Sequence, residues 1–180
     1  MNIYAFIPYS KEGNLAEAYE KCMKLIRDDD WALFLDYDVM FTRRDWYVLF
    51  GKAIKRYPEV GVFTCYTNRI RTKFQKVPGI DRNNHNMVYH MKFGQRLYEK
   101  IGDSITIFPK GEHLGGFVML IRKSVWNKIK PLREKGIEYV DIEIGRKCHA
   151  RDIKIARLDG LYAYHWRRAL DEGPPKKIEG

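Results

Sequence analysis

Cysteine is scarce in this sequence, and its positions argue against a disulfide framework. Cys22, Cys65 and Cys148 lie far apart and form no CxxC pair, so we expect buried free thiols in a reducing compartment. The sequence also lacks a basic leader at its N-terminus, any apolar run of membrane-spanning length and any internal repeat. These absences predict a cytoplasmic protein without a transmembrane segment.

The composition is that of a folded domain rather than a disordered chain. Of the 180 residues, 45% are hydrophobic and 14% aromatic, which suffices for one domain with a sizeable core. We expect this domain to span residues 1–168. Residues 169–180, which contain Gly173-Pro174-Pro175, have the composition of a loose C-terminal tail.

The formal charge of +10 is spread unevenly along the chain. Residues 1–60 carry 9 basic and 10 acidic side chains, whereas residues 61–100 carry 8 basic and only 2 acidic ones. Such an excess would attract a polyanion, a nucleotide diphosphate or an acidic surface. Taken alone, a basic stretch of this kind is more often a solvated face.

One stretch organises the chain, because the apolar run Trp31–Leu35 stops at two carboxylates, Asp36 and Asp38. A short apolar run predicts a strand covered on both faces, and ligands bind at the carboxyl ends of strands in open α/β sheets. Asp36 and Asp38 point to the same side of an extended chain, with Tyr37 opposite. Since two close negative charges repel unless a cation lies between them, the spacing favours a divalent metal site over a solvated loop.

Periodicity and capping residues predict alternating strands and helices around this stretch. The predicted elements are a strand over 2–8, a helix capped by Asn14 with Glu17, a helix capped by Thr42 with Asp45 and closed by Pro58, a strand over 60–66, a short helix around 92–101, a strand over 105–108, an apolar strand after Gly116, and strands over 153–158 and 161–165. This alternation indicates the α/β class.

Two further segments are candidates for ligand contact. Residues 67–87, which begin with Thr67-Asn68-Arg69, are too polar for the core and predict a long loop, which either closes over the donor or acceptor or is simply disordered. Gly115 and Gly116 directly precede an apolar strand, where paired glycines let a backbone approach a ligand closely. An ordinary turn explains the glycine pair equally well.

Acidic residues recur at Asp141 and Glu143, in the first turn of a predicted helix that runs to His149 or Ala150. Acids are common at that position because the helix dipole favours them. His165 follows the last predicted strand and is preceded by a tyrosine. The local residues alone favour a structural role for this histidine.

The order of these features resembles that of the GT-A glycosyltransferases, in particular family 2. The shared features are a strand, a helix, a strand ending in Asp36-x-Asp38, the pair Gly115-Gly116 before a strand, an acidic helix start at Asp141, and the late His165. The resemblance covers most of residues 2–168. It implies a single-domain, Rossmann-like GT-A fold with a mixed, mainly parallel sheet flanked by helices.

The resemblance also implies an activity and roles for individual residues. The activity is inverting transfer of one sugar from a nucleotide-diphosphate sugar, with a UDP-sugar expected, to a carbohydrate or other hydroxyl acceptor; no nucleic acid partner is implied. The metal ligands for Mn²⁺ or Mg²⁺ are Asp36, Asp38 and His165, and the catalytic base is Asp141, with Glu143 in support. The donor contacts are Pro8, Tyr9, Asn14, Asp36, Tyr37, Gly115, Gly116 and Arg167. The acceptor or lid contacts are Asn68, Arg69 and Trp166.

Two departures from the family pattern bear on the substrates. Only 35 residues precede Asp36, so the usual strand and helix for the nucleobase are missing. The segment Ile7-Pro8-Tyr9-Ser10 resembles the family's opening segment and is the expected partial replacement. The Gln-x-x-Arg-Trp signature of processive members is absent, which implies transfer of a single sugar.

Two other functions are compatible with parts of the sequence. A haloacid-dehalogenase-like phosphohydrolase also has an Asp-x-Asp motif after an apolar strand, with the first aspartate as nucleophile, but it places the motif on its first strand and has Thr or Val where Met40 stands. A non-catalytic basic module for nucleic acid would explain the charge. Such a module leaves Asp36, Asp38, Asp141 and Glu143 without a role.

Overall fold

A computed structural model describes residues 1–129 and 140–166, which form five helices and seven strands. The helices are α1 (Leu15–Lys24), α2 (Trp46–Arg56), α3 (Met87–Ile101), α4 (Lys123–Ile129) and α5 (Val140–His149). The strands are β1 (Ile3–Phe6), β2 (Trp31–Leu35), β3 (Val39–Phe41), β4 (Val60–Thr67), β5 (Ile105–Ile107), β6 (Val118–Arg122) and β7 (Lys154–His165). Arg167 and the predicted tail 169–180 lie outside the described residues.

The strands form one mixed sheet in the order β1-β2-β6-β4-β7-β3, with β5 paired to part of β7. The α/β class and the mixed sheet flanked by helices agree with the sequence analysis. The prediction of a mainly parallel sheet is wrong, because only β1–β2 and β4–β7 are parallel among the six strand pairs of the described residues. The cause is that β6 inserts antiparallel between β2 and β4, while β3 and β5 run antiparallel to β7.

The sheet is curled rather than open and flat. Leu35 of β2 pairs with β6, whereas Val39 of β3 pairs with His165 of β7. In a flat sheet β2 and β3 would be four strand spacings apart, or about 19 Å, but the four steps along the chain from Leu35 to Val39 reach at most about 14 Å. The sheet therefore curls until the ends of β2 and β7 approach each other.

An irregularity within β7 accompanies this curl. The pairing with β4 shifts from Cys65↔Leu158 to Tyr66↔Tyr162, so three residues of β7 have no counterpart on β4. Extra residues on one strand of a pair bend that strand and increase its twist. The sequence predicts two strands over 153–158 and 161–165, and the structure joins them into one bent strand.

The core lies on both faces of the sheet, and β2 supplies both. Ala32 and Phe34 pack into one cluster with residues of α1, α4 and α5, whereas Trp31 and Leu33 pack into the other cluster with residues of α2. This division follows the alternation of side chains along a strand. Fully burying side chains of the size of Leu33 or Phe34 contributes about 1.5–3 kcal/mol each. The prediction of a doubly covered strand is confirmed.

The helix starts agree with the sequence in one case and differ in another. The Asn14 side chain accepts a hydrogen bond from the Glu17 backbone N–H at 3.1 Å, as predicted. Thr42 does not cap α2, because its hydroxyl donates to the carbonyl oxygen of Tyr162 at 2.6 Å. Asp45 is the N-cap residue of α2 but binds the Arg43 guanidinium instead of a backbone N–H. None of the helices in the described residues is both long and apolar enough to cross a membrane.

Candidate metal and catalytic site

The polar residues singled out by the sequence converge at one edge of the sheet. β2, β4 and β7 run in the same direction, so their carboxyl ends meet at that edge. Asp36 follows β2, Asn68 follows β4, and His165 ends β7. Because β6 runs in the opposite direction, it begins there, directly after Gly115-Gly116-Phe117. This edge corresponds to the ligand-binding edge of other α/β sheets.

Asp36, Asp38 and His165 form a cluster whose potential ligand atoms all lie within 4.8 Å of one another. The Nε2 atom of His165 is 3.2 Å from Asp38 Oδ1 and 3.8 Å from Asp36 Oδ2. The side chain of Asp36 is 47% exposed, whereas those of Asp38 and His165 are 16% and 9% exposed. A ligand could therefore approach this cluster from the side of Asp36.

The orientation of the His165 ring is fixed by its neighbours. Its Nδ1 lies 3.0 Å from the carbonyl oxygen of Arg69, and because a carbonyl only accepts, Nδ1 carries the proton and donates. The ring also stacks on Phe117, with centroids 5.8 Å apart and an angle of 16° between planes. Nε2 consequently faces the two carboxylates.

This donor set fits a hard divalent cation. A lone pair facing two carboxylate oxygens is repulsive unless a second proton or a cation lies between them. An octahedral cation with bonds of about 2.1 Å places neighbouring ligands about 3.0 Å apart and opposite ligands about 4.2 Å apart. The observed separations of 3.2 and 3.8 Å fall within this range. Two carboxylates with one imidazole suit Mn²⁺ or Mg²⁺, whereas thiolate ligands would select a softer metal such as Zn²⁺.

Asp141 belongs to the same edge through hydrogen bonds with the backbone. Its Oδ2 accepts from the N–H of Gly116 at 2.8 Å, and its Oδ1 accepts from the N–H of Ile142 at 2.8 Å. The neighbouring carbonyl, that of Phe117, accepts from the N–H of Asp36 at 3.0 Å. Consecutive residues of one segment thus hold the candidate base and the first residue of the metal motif.

The environment of Asp141 alters its acidity. Burial raises the pKa of the Asp141 carboxyl above its usual range, and the hydrogen bonds from Ile142 and Gly116 oppose that shift. A raised pKa makes a carboxylate a stronger proton acceptor. Perturbed carboxyl groups of this kind are frequent at catalytic sites, although structural carboxylates show them as well.

Tyr19, which the sequence analysis did not single out, packs against Phe34 of the strand that leads to Asp36. It is buried between α1 and the sheet. Burial raises the pKa of its hydroxyl first, and the negative charges of Asp36 and Asp141 raise it further. Tyr19 therefore lies within electrostatic reach of both acids. Its position four residues after Leu15, on the apolar face of α1, is the only sequence signal of its burial.

Gly115 is held by Gln75, a second residue that sequence reasoning missed. The Gln75 side chain accepts from the N–H of Gly115 at 2.6 Å and donates to the Gly115 carbonyl and to Thr64. Gln75 is fully buried, which contradicts the expectation that residues 67–87 are too polar for the core. No local pattern predicts the burial of Gln75, because a glutamine that is buried within a polar segment has the same sequence context as an exposed one.

Asn68 and Arg69 hold His165, one member of the candidate metal cluster, in place. Asn68 is fully buried, and its side chain accepts from the N–H of His165 at 2.8 Å and donates to the His165 carbonyl at 3.3 Å. The Arg69 guanidinium donates to the Arg82 carbonyl and to Asn83. The side chain of Asn68 is thus buried and bonded to His165, and its role in acceptor contact or in a lid stays a prediction.

Three other residues that the sequence predicted for the site, Trp166, Tyr37 and Glu143, differ in exposure and in their contacts. Trp166 is 59% exposed and lies beside Asp38, because the backbone N–H of Trp166 donates to the Asp38 carbonyl at 2.9 Å. Tyr37 is 85% exposed. Glu143 pairs with Lys147 at 3.0 Å within α5.

The predicted donor contacts near the N-terminus follow β1. Pro8 and Tyr9 come after β1, whose carboxyl end lies at the same edge because β1 is parallel to β2. The side-chain oxygen of Asn14 is engaged in capping α1. Pro8 and Tyr9 thus lie at the same edge as the candidate site, while Asn14 caps α1.

Comparison of the sequence with protein-family models and with curated proteins gave no match. Inferences about function therefore depend on the order of the motifs and on the geometry of the site.

Proposed function

We propose that this protein is a metal-dependent glycosyltransferase of the hexosyltransferase type, which moves a single sugar from a nucleotide-diphosphate sugar to an acceptor hydroxyl with inversion. The observation that carries the proposal is the arrangement at one sheet edge, where the Asp36, Asp38 and His165 cluster is linked to Asp141 through the backbone of Gly116 and Phe117. The resemblance of the motif order to family 2 of the GT-A glycosyltransferases supports it, and the GT-A fold is proposed on the same grounds.

Each charged group has a role in this reaction. Asp36, Asp38 and Nε2 of His165 would hold Mn²⁺ or Mg²⁺, which when bound neutralises the charge that builds on the leaving diphosphate. Asp141 accepts the proton of the acceptor hydroxyl. The acceptor oxygen then forms a bond to the anomeric carbon from the face opposite the diphosphate, and the bond from that carbon to the diphosphate oxygen breaks with its electron pair.

The surroundings of these residues suit the two substrates. Gly116 has no side chain, and a Cβ there would lie 2.9 Å from the Cβ of Asp141, so glycine lets the candidate base approach the backbone. Pro8, Tyr9 and Tyr37 lie at the same edge and are proposed donor contacts, with a UDP-sugar as the expected donor. Trp166, exposed beside Asp38, is a proposed contact for the acceptor.

A panel of nucleotide-sugars tests this proposal through thermal stabilisation and donor hydrolysis, each measured with Mn²⁺ and with a chelator. A ligand present at 100 times its dissociation constant stabilises the folded state by about 2.7 kcal/mol, which a melting experiment detects. We expect one nucleotide-sugar to raise the melting temperature only when Mn²⁺ is present. The absence of stabilisation by any donor would refute the proposal. Metal-dependent release of phosphate from p-nitrophenyl phosphate would also refute it and would favour a phosphohydrolase.

A further inference from the structure

A groove distinct from the metal cluster lies between α3 and the connection from β3 to α2. It encloses about 740 Å³, a volume typical of sites for small organic ligands. Arg43 and Arg44 line one wall, and Lys92 and Arg96 of α3 line the other. At one point the two walls meet, because Gly94 lets α3 approach the side chain of Thr42 closely.

The charges in this groove are unbalanced in favour of an anion. Both acidic residues that line it have partners, since Asp45 binds Arg43 through two oxygens at 3.0 and 2.8 Å and Glu99 accepts from Gln95 at 2.8 Å. The cations Arg44, Lys92 and Arg96, in contrast, form no ion pair or hydrogen bond with another residue in 1–129 or 140–166. These three side chains are therefore available to a ligand.

Apolar surface accompanies the cations along the α3 wall. Val88 and Met91 are 58% and 44% exposed, and both line the groove. Val88, Lys92 and Arg96 are four residues apart, so they lie along one face of the helix. A ligand with anionic groups on an otherwise non-ionic body, such as an acidic sugar whose C–H surface packs on Val88 and Met91, matches this combination.

The groove is joined to the metal cluster by a short piece of chain. Asp38 and Thr42 are four positions apart, with the three residues of β3 between them, so their Cα atoms lie at most about 14 Å apart. A molecule with its reacting hydroxyl near Asp38 would reach the groove if it were longer than a single sugar ring. The cations of the groove would hold the anionic end of such a molecule and direct its hydroxyl towards Asp38.

We propose that this groove binds an anionic portion of the acceptor, namely an oligosaccharide that carries carboxylate, sulfate or phosphate groups away from the hydroxyl that receives the sugar. The acceptor role rests on the proposed function. The preference for an anionic carbohydrate rests on Arg44, Lys92, Arg96 and the adjacent apolar surface.

Calorimetric titration with sucrose octasulfate, a sulfated carbohydrate, tests the proposal, with sucrose as the neutral counterpart. The double variant Lys92→Glu/Arg96→Glu reverses two cations of the groove. The matched control Lys55→Glu/Lys100→Glu makes the same change of net charge on α2 and α3, outside the groove. We expect the groove variant to bind octasulfate at least about tenfold more weakly than the parent, a change of about 1.4 kcal/mol. The control variant should differ from the parent much less, and sucrose should not compete.

Two results would overturn the groove proposal: equal weakening in both double variants, which would indicate diffuse attraction to a basic protein, or no weakening in either. The same proteins are titrated with Mn²⁺ and with a UDP-sugar, whose binding the groove variant should retain. If the parent binds neither of these while the octasulfate contrast persists, the anion site stands, and the glycosyltransferase proposal and the acceptor role fall.

Discussion

Asn68 holds both backbone polar groups of His165: its side-chain oxygen accepts from the His165 N–H at 2.8 Å and its amide donates to the His165 carbonyl at 3.3 Å. Asn68 directly follows β4 and His165 ends β7, so this contact ties together the ends of two neighbouring strands. The next residue, Arg69, fixes the ring of the same histidine through its carbonyl. The Asn68-Arg69 dipeptide therefore positions a candidate metal ligand through the backbone and the ring of His165.

Replacing Asn68 tests this positioning role. Asn68→Ala leaves the buried N–H and carbonyl of His165 without their partners, which costs about 1–3 kcal/mol of stability per unsatisfied group. We expect a lower melting temperature and weaker Mn²⁺ binding, measured by calorimetry. The matched control is Asn127→Ala, which removes an exposed hydrogen bond to Asp28 and should leave Mn²⁺ binding unchanged. Parent-like Mn²⁺ affinity in Asn68→Ala would show that His165 needs no such support.

Removing single side chains from the candidate metal cluster should weaken the binding of Mn²⁺ to different extents. Asp38→Ala removes an anionic oxygen from a site that has few, so it should abolish measurable Mn²⁺ binding and metal-dependent donor binding. His165→Ala removes the neutral ligand and should weaken binding less. The control Asp28→Ala changes an acid outside the cluster and should bind Mn²⁺ as the parent does. If Asp38→Ala and His165→Ala both bind Mn²⁺ normally, the cation site is elsewhere.

The location of this cluster was predictable from the sequence, whereas its framework was not. An apolar run that ends in two aspartates indicates a buried strand and places the two acids at its carboxyl end, because both follow from local pattern and charge. The metal itself stays a prediction. The sequence alone favoured a structural role for His165, and only the family resemblance linked it to Asp38. The structure brings them together because β3 pairs antiparallel with the end of β7, a long-range pairing that no local pattern encodes.

The missed elements share a physical cause. β3 has only three residues and α4 only seven, too few to show a clear period of either kind. Gln75 and Asn68 are polar residues in a polar segment, and their burial is compensated by hydrogen bonds to backbone that is distant in sequence. Propensity and periodicity do not report such pairings, since the favourable energy arises only after the sheet has formed.

Gly116 offers a way to displace Asp141 without changing its chemistry. In Gly116→Ala the new Cβ would lie 2.9 Å from the Cβ of Asp141, so Asp141 must shift. We expect transfer to fall while Mn²⁺ binding is retained. Gly51→Ala on α2, where a Cβ meets nothing within 4 Å, is the control and should gain roughly 0.5–1 kcal/mol from helix propensity. Unchanged transfer in Gly116→Ala would indicate that the position of Asp141 is not critical.

His90 predicts a loss of stability in mildly acidic solution. It is fully buried, where Nε2 donates to the Asn84 carbonyl and Nδ1 accepts from the Tyr162 hydroxyl. Burial lowers the pKa of His90 below 6.5, and His85 lowers it further, while the Asn84 carbonyl and Asp81 oppose the shift. The unfolded chain then binds a proton at a pH where the native state does not, so stability falls as the pH drops below about 6.5.

Melting temperatures between pH 7.5 and 5.5 check this prediction, with His90→Gln as the test variant. The parent should lose at least about 2 °C more than His90→Gln over this interval, since 1 kcal/mol corresponds to about 2–4 °C for a domain of this size. His149→Gln replaces a histidine that is not buried in the core and should follow the parent. Equal pH slopes in the parent and in His90→Gln would mean that His90 does not titrate differently in the native and unfolded states.

The strongest test of the mechanism is Asp141→Asn. The amide cannot accept the proton of the acceptor hydroxyl, so transfer should fall by about two to four orders of magnitude, while Mn²⁺ and donor binding stay near parent values. Asn keeps the side-chain size but accepts only one of the two backbone hydrogen bonds that Asp141 accepts from Gly116 and Ile142. The lost bond costs about 0.5–1.5 kcal/mol, which a melting experiment separates from the loss of rate.

The pH dependence distinguishes a base from a structural aspartate at this position. Because burial raises the pKa of Asp141, the native state holds its proton more tightly than the unfolded state does, and ionisation at higher pH costs stability. Asp141→Asn should therefore gain in melting temperature relative to the parent as the pH rises from 4 to 7. Over the same range the transfer rate of the parent should rise as Asp141 loses its proton, whereas the residual rate of the variant should lack this rise.

The control Glu143→Gln, which breaks the ion pair with Lys147, should keep the pH profile of the parent. Transfer within a few-fold of the parent in Asp141→Asn would remove Asp141 from the mechanism and make Glu143 the next candidate for the base.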